Sequence, residues 1–301
     1  MDDVELVGVH DADAERAATV AAERGCRTFG ALSDLWPDVD AVVVAVTTSD
    51  HHPVAAAALD AGCHVLVEKP LTPTLAEADD LIARAAAAGL RLSVGHVERF
   101  NPVIRACREL LEDPRFITCL RLARFQPRGT DVPVTLDLMI HDIDLVLGLV
   151  DSPVATVEAI GVSLITDTID MANARLRFDN GAVADVSASR VSMNPARELR
   201  VFQTSGYLSL DLASGRGEFL RRKSVTPAGR EGLSLADVVE RREVAGDATE
   251  PLRAELDAFA TAVRGEPSDS VGGAEGREAL DIALRIQTAI ESADHAAEQD
   301  T

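Results

Sequence analysis

Three separated segments set polar, titratable side chains into apolar surroundings: His64–Pro70 (HVLVEKP), Gly95–Pro102 (GHVERFNP) and Leu136–Leu145 (LDLMIHDIDL). In the third, Asp137 and His141 are four residues apart, so a helix would put them on one face with Asp144, a carboxylate and an imidazole in a row. Oxidising an alcohol requires a base to take the hydroxyl proton while hydride leaves carbon. Imidazole, with an unperturbed pKa of about 6.5, can do this near neutrality. An isolated DxxxH is more often a satisfied core histidine; the company of the other two segments is what turns the reading towards chemistry. In the first segment Glu68, Lys69 and Pro70 follow an apolar run, at the carboxyl edge where open α/β sheets take their ligands. Lys69 and Lys223 are the only lysines in the chain, which makes a lysine inside a motif informative.

The elements that must position these residues follow from the apolar patterning. Val4–Val9 reads as a buried strand, and Asp13 caps a helix that Gly25 closes. A second apolar run, Ala41–Val46, leads through a polar turn to a helix near Pro53–Ala61 and then to the strand His64–Val67. Thr74 and Glu77 form a capping box for a helix ending at Gly89, before the strand Leu90–Val94. This half is doubly wound α/β.

Beyond Val94 the pattern changes. A helix near Pro102–Leu111, a strand at Ile117–Ala123 and an apolar helix at Leu136–Val150 precede a meander of strands at Val154–Ser163, Ile169–Phe178, Ala182–Val191, Arg197–Gln203 and Tyr207–Leu212. Asn180-Gly181 is a hairpin turn. The charged, glycine-containing segment Gly215–Asp247 reads as loop-rich, and amphipathic helices at Pro251–Arg264 and Glu275–Ala293 finish the chain. The expected organisation is a Rossmann-like parallel sheet over residues 1–94, then an α+β domain with a largely antiparallel open sheet over 95–301. The helix over 275–293 is expected to pack back on the first domain.

Composition narrows the function. A formal charge of −21 repels polyphosphates and anionic membrane surfaces, so neither nucleic acid nor a membrane is expected as partner. No run of 18 apolar residues and no signal-like start occur, and a cytoplasmic protein is expected. Cys26, Cys63, Cys107 and Cys119 form no CxxC pair and the histidines no HExxH. The four thiols are therefore read as reduced and buried, and no metal is expected, although His51-His52 and His141, Asp142 and Asp144 could pass for ligands.

HVLVEKPL, the GxxxRFxP pattern of GHVERFNP, and DLMIHDID, in this order, resemble the glucose-fructose oxidoreductase, inositol dehydrogenase and rhizopine-catabolism (Gfo/Idh/MocA) family over most of the chain. The resemblance implies a nicotinamide-dependent dehydrogenase of sugars or polyols. Its catalytic Lys, Asp and His would be Lys69, Asp137 and His141, with His141 the acid/base, Lys69 bridging substrate hydroxyl and nicotinamide, and Asp137 positioning both. GHVERFNP, LDLMIHDID and SASRVSM (Ser187–Met193) are most similar to the group that oxidises the 3-hydroxyl of UDP-N-acetylglucosamine; an inositol or free sugar is the alternative substrate. Arg99, Arg124, Arg128 and Arg190 are candidate partners of a diphosphate, because guanidinium forks suit phosphate. The family resemblance further implies a homodimer or homotetramer formed through the C-terminal sheet.

NAD is the expected cofactor. Asp11, after the first strand, would accept from the adenosine ribose 2′-hydroxyl and disfavour a 2′-phosphate. Thr47, Thr48, Ser49 and His51 match a family segment near the nicotinamide ribose, with Thr47 where the family commonly has Pro, and Glu68, Lys69 and Pro70 border the same site. The 301 residues contain no GxGxxG turn to cradle the pyrophosphate, and Gly272-Gly273-Ala-Glu-Gly276 reads as a helix start. The parallel sheet therefore lacks its central first strand, and two apolar strands are each expected to want a neighbour. A true start upstream of Met1 is the simplest expectation; a non-catalytic relative or a truncated gene product unable to bind NAD is the alternative.

Overall fold

Strand–helix alternation builds the first of two units, Met1–Gly95 with Glu255–Arg277. The computed structural model describes residues 1, 3–127, 130, 132–223 and 234–299. This unit runs β1 (Gly8–Val9), α1 (Ala14–Arg24), β2 (Arg27–Thr28), α2 (Leu32–Leu35), β3 (Ala41–Val44), α3 (Thr48–Asp60), β4 (His64–Glu68), α4 (Leu75–Ala88) and β5 (Leu92–Gly95). The Asp13 carboxylate accepts from the Glu15 and Arg16 N–H groups to cap α1, and Gly25 ends it at φ 68°. The Thr74–Glu77 capping box opens α4.

β1 and β2 pair as a parallel ribbon, and β3, β4 and β5 as a separate parallel sheet. β1 and β3 thus each have one hydrogen-bonded partner, as the sequence led us to expect. The reading of Val4–Val9 as a buried strand is corrected: only Gly8–Val9 is strand, and Val4 and Leu6 are exposed. A ladder on one side alone gives the earlier residues too little to pair with. The helix placed near Pro53 starts at Thr48 instead, with Pro53 in its second turn.

The second unit, His96–Ala254 with Glu278–Thr301, starts with a 3₁₀ turn at Val97–Phe100 and α5 (Pro102–Cys107). β6 (Pro114–Leu122) follows, then a π-helical turn at Thr135–Met139 that runs into α6 (Ile140–Leu149). The strands β7 (Val154–Val162), β8 (Met171–Phe178), β9 (Val183–Ser189), β10 (Ala196–Gln203), β11 (Gly206–Asp211) and β12 (Arg216–Arg222) come next. α7 (Leu235–Val238) and β13 (Val239–Ala245) lead to α8 (Pro251–Val263) and α9 (Gly273–Gln299). The eight strands form one sheet in the order β13-β12-β11-β10-β6-β9-β8-β7, antiparallel except where β6 meets β9. Gly215–Asp247, expected to be loop-rich, thus contributes two strands. Gly181, at φ 83°, turns β8 into β9.

Ile104, Cys107, Ile140, Ile143, Ile282 and Ile286 of the helices are buried with Ile117, Leu176, Val186 and Val201 of the sheet in one core. Met139, Ile140 and Ile143 are fully buried, each contributing about 2 kcal/mol to holding α6 in place. The helix expected to pack back on the first domain is divided between the units, its start belonging to the first and Glu278 onward to the second; a Cβ on Gly273 or Gly276 would collide with Leu92 or Val94 of β5. Ala279, Ile282, Ala283 and Ile286 belong to the second unit's core. All four cysteines are free, Cys26 half-buried and the others buried; burial pushes the Cys107 thiol up to about 11. No helix among the described residues is long and apolar enough to cross a membrane.

Candidate active site

In the first unit the candidate residues lie at the carboxyl ends of neighbouring strands. Glu68 ends β4 opposite Gly95 on β5, and a Cβ on Gly95 would come within 3.0 Å of Glu68 Oε2. Glycine there leaves space for the carboxylate, which also accepts from the Lys69 N–H at 3.3 Å. The Lys69–Pro70 peptide is cis. At the end of β3, Thr47 precedes α3 without a side-chain capping bond; its hydroxyl donates to Asp50 Oδ2 at 2.6 Å. A 13-residue helix whose first turn lacks a side-chain cap presents backbone N–H groups to an anionic or hydroxyl ligand.

His51 stands differently from the place expected for it. It is 1% exposed, with Nδ1 2.8 Å from the Pro70 carbonyl and Nε2 3.2 Å from the Val46 carbonyl. Its ring is spent on the backbone of the two strand-end loops, so a bound cofactor would feel it through those loops. Asp11 follows β1, its side chain 32% exposed, accepting from the Asp13 N–H at 2.8 Å and pairing with Arg16 at 3.4 Å.

In the second unit Asp137 lies in the π turn and His141 in the first turn of α6. A π turn adds a residue to the helical turn and re-aims the side chains on it. Asp137 is partly exposed, with Arg190 Nη2 3.9 Å from its Oδ2. Arg190, expected to face a diphosphate, is buried and donates to the Val132 carbonyl, which fixes its guanidinium beside the π turn. The His141 Nδ1 is buried.

The expected row of Asp137, His141 and Asp144 is broken at its last member. Both Asp144 oxygens accept from Arg99, Nε and Nη2 each at 2.8 Å. Arg99, another diphosphate candidate, is thereby engaged within the fold. Arg124 is exposed just past β6, and Arg128 lies outside the described residues. Asp142 is held by an equivalent fork: Arg121 Nε and Nη2 donate to it at 2.9 and 2.8 Å, and Arg121 Nη1 donates to Glu98 at 2.9 Å. Burial pushes the Asp142 carboxyl above its ordinary range against the pull of Arg121. Burial disfavours the Arg121 charge, but Asp142 and Glu98 outweigh that and raise its pKa.

Glu98 and Arg121 were not singled out in the sequence, and Asp142 only as a residue that could pass for a metal ligand. The signal was the alternation of β6, where Ile117, Cys119 and Arg121 occupy the same buried phase. An arginine on the core phase of a strand requires a carboxylate partner.

Residues 1–96 match the model of an oxidoreductase family with an NAD-binding Rossmann fold, and residues 121–209 that of the GFO/IDH/MocA C-terminal domain. The chain is 39% identical over 291 residues to UDP-N-acetylglucosamine 3-dehydrogenase of Acidithiobacillus ferrooxidans, covering 96% of this chain and 90% of that protein. A solved structure of that enzyme superposes with a TM-score of 0.87 at 38% identity, over 95% of this chain and 90% of the other. An inositol 2-dehydrogenase of Saccharopolyspora erythraea is 33% identical over 166 residues, 52% of this chain and 49% of its own length.

Proposed function

The chain belongs to the Gfo/Idh/MocA family of NAD-binding oxidoreductases, and from that premise we propose that it oxidises the 3-hydroxyl of UDP-N-acetylglucosamine, or of a closely similar nucleotide sugar, to the ketone. The likeness to the Acidithiobacillus ferrooxidans 3-dehydrogenase across almost the whole chain carries this reading. Lys69 at the end of β4, and Asp137 and His141 where a π turn meets α6, support it from the side of chemistry.

The first unit fits NAD at two points. Asp11 has a partly exposed carboxylate after β1 for a ribose 2′-hydroxyl, and α3 opens without a side-chain cap beside Thr47, Thr48 and Ser49. Bound NAD supplies the hydride acceptor. His141 takes the substrate hydroxyl proton on Nε2, since its Nδ1 is buried. The Lys69 ammonium lowers the cost of the developing alkoxide and holds the hydroxyl oxygen. Asp137 orients His141, with Arg190 Nη2 3.9 Å from its Oδ2. Arg124, exposed past β6, is available to a diphosphate. A homodimer or homotetramer through the eight-stranded sheet completes the reading; the contacts among Phe116, Phe202 and Tyr207 offer an aromatic patch for it.

The test is turnover of the full chain with UDP-N-acetylglucosamine and NAD, followed by NADH appearance and by trapping the ketone for mass analysis, beside a titration of NADH binding. NADH formation with a product short of two hydrogens supports the reading. Turnover confined to inositols or free sugars would move the substrate, and absence of NADH binding would sink the dehydrogenase.

A further inference from the structure

The two aspartates that follow His141 in sequence, Asp142 and Asp144, are each gripped by an arginine fork from a different element. Asp142 is held by Arg121 of β6, and Asp144 by Arg99 of the 3₁₀ turn at Val97–Phe100. At about 100° per residue the two carboxylates leave α6 about 160° apart, with His141 between them, about 100° from one and about 60° from the other. The adjacent Glu98 accepts from the same Arg121 at 2.9 Å. Arg121, Asp142, the helix, Asp144, Arg99 and Glu98 therefore form a closed ring that returns to Arg121. Asp142, Asp144, Arg121 and Glu98 are all less than a tenth exposed. Gly148, one turn beyond Asp144, completes the fit: a Cβ there would stand 3.2 Å from Arg99 Cζ.

Buried ion pairs contribute little net stability, because desolvation offsets most of their attraction, whereas their bidentate geometry is strict. Apolar contacts alone leave a helix free to roll by small angles on its core. Two forks on nearly opposite sides oppose that roll.

We infer that Arg121 and Arg99 are positioning residues for the proposed reaction, fixing the rotation of α6 and with it the direction of the His141 imidazole. The inference rests on the reading of His141 as the acid/base. Lysine keeps the charge at either position and removes the fork, since an ammonium is a point donor.

The experiment compares wild type with Arg121→Lys, Arg99→Lys and, as a control, Arg84→Lys, which alters exposed arginine pairs with Asp60 and Asp80. Turnover is normalised to the stoichiometry of NADH binding, so unfolded protein does not count against a variant. The His141 ring resonance, assigned by its loss in His141→Gln, is recorded for each. Per-site kcat is expected to fall by about 10- to 100-fold in both ring variants, with KM unchanged, the His141 resonance displaced or broadened, and Arg84→Lys indistinguishable from wild type. Unchanged per-site kcat and an unmoved resonance, with only thermal stability lowered, would overturn the inference. Should a lysine variant fail to fold, the neutral triple variant Glu98→Gln, Arg121→Met, Asp142→Leu replaces it and is judged by the same two readouts. If wild type turns over no nucleotide sugar, the functional reading fails on its own, and the resonance alone decides whether the forks orient His141.

Discussion

The imidazole of His51 lies with Nδ1 2.8 Å from the carbonyl oxygen of Pro70, a residue 19 positions further along the chain. A carbonyl can only accept, and a neutral imidazole donates from one of its two nitrogens. With Nε2 turned to the Val46 carbonyl, one buried ring joins the loop after β3 to the loop that bears Lys69. Replacing it frees both loops and strands buried acceptors. His51→Ala is expected to cost roughly 2 kcal/mol in urea unfolding and to weaken NADH binding through the two loops its ring joins. Unaltered NADH affinity in a destabilised variant would limit the residue to the fold.

Lys69→Met and His141→Gln are expected to lower kcat by about 10²- to 10⁴-fold. Their urea midpoints should stay close to wild type, because His141 and Lys69, the latter just past the end of β4, are only half-buried. Steady-state kinetics beside denaturation curves check this; near wild-type turnover in either would remove that residue from the chemistry.

Asp11→Ala removes the carboxylate proposed to accept from the ribose and to repel a 2′-phosphate. The ratio of kcat/KM for NAD to that for NADP is expected to fall by about tenfold, which is ~1.4 kcal/mol of discrimination. An unchanged ratio would show that Asp11 does no more than start α1.

Asp170 carries the acid limb of stability. Burial would raise its carboxyl, but the N–H groups of Leu164, Ile165 and Thr166 and the Thr166 hydroxyl all donate to it and bring it down to about 2. A carboxyl held below its unfolded value of about 3.9 adds stability above that pH and loses it as pH falls towards 2. The shift corresponds to roughly 2 kcal/mol. Asp170→Asn should remove about that much at neutral pH and flatten the decline in stability between about pH 4 and 2, measured by urea unfolding at a series of pH values.

Local chemistry made much of this protein legible in its sequence. Asp13, Gly25, Thr74 and Glu77 start and stop helices by backbone bonds that depend on a few neighbours, and Asn180-Gly181 turns a hairpin for the same reason. Lys69, Asp137 and His141 stood out because polar groups interrupt apolar runs there. What escaped depended on distant partners. Arg99 looked like a phosphate ligand until Asp144, 45 residues away, was seen to occupy its fork. Arg121 gave only a faint signal, since its carboxylates arrive from residues 23 positions before it and 21 after it. His51 seemed to face a ligand because one sequence cannot show that two carbonyls had already claimed its ring.

The parallel ladder between β6 and β9 has a kinetic consequence. Phe116 pairs with Val183 across 67 residues, and the intervening stretch contains the π turn, α6, β7 and β8. Hairpins such as β7–β8 and β8–β9 can form early, whereas this long loop must close against its chain entropy before β6 and β9 can pair. Catalytic competence should therefore be among the last properties recovered on refolding, after most helical signal has returned. During synthesis, Arg99 and Arg121 leave the ribosome before α6, so both forks are already outside when their aspartates emerge, whereas β9 follows only later.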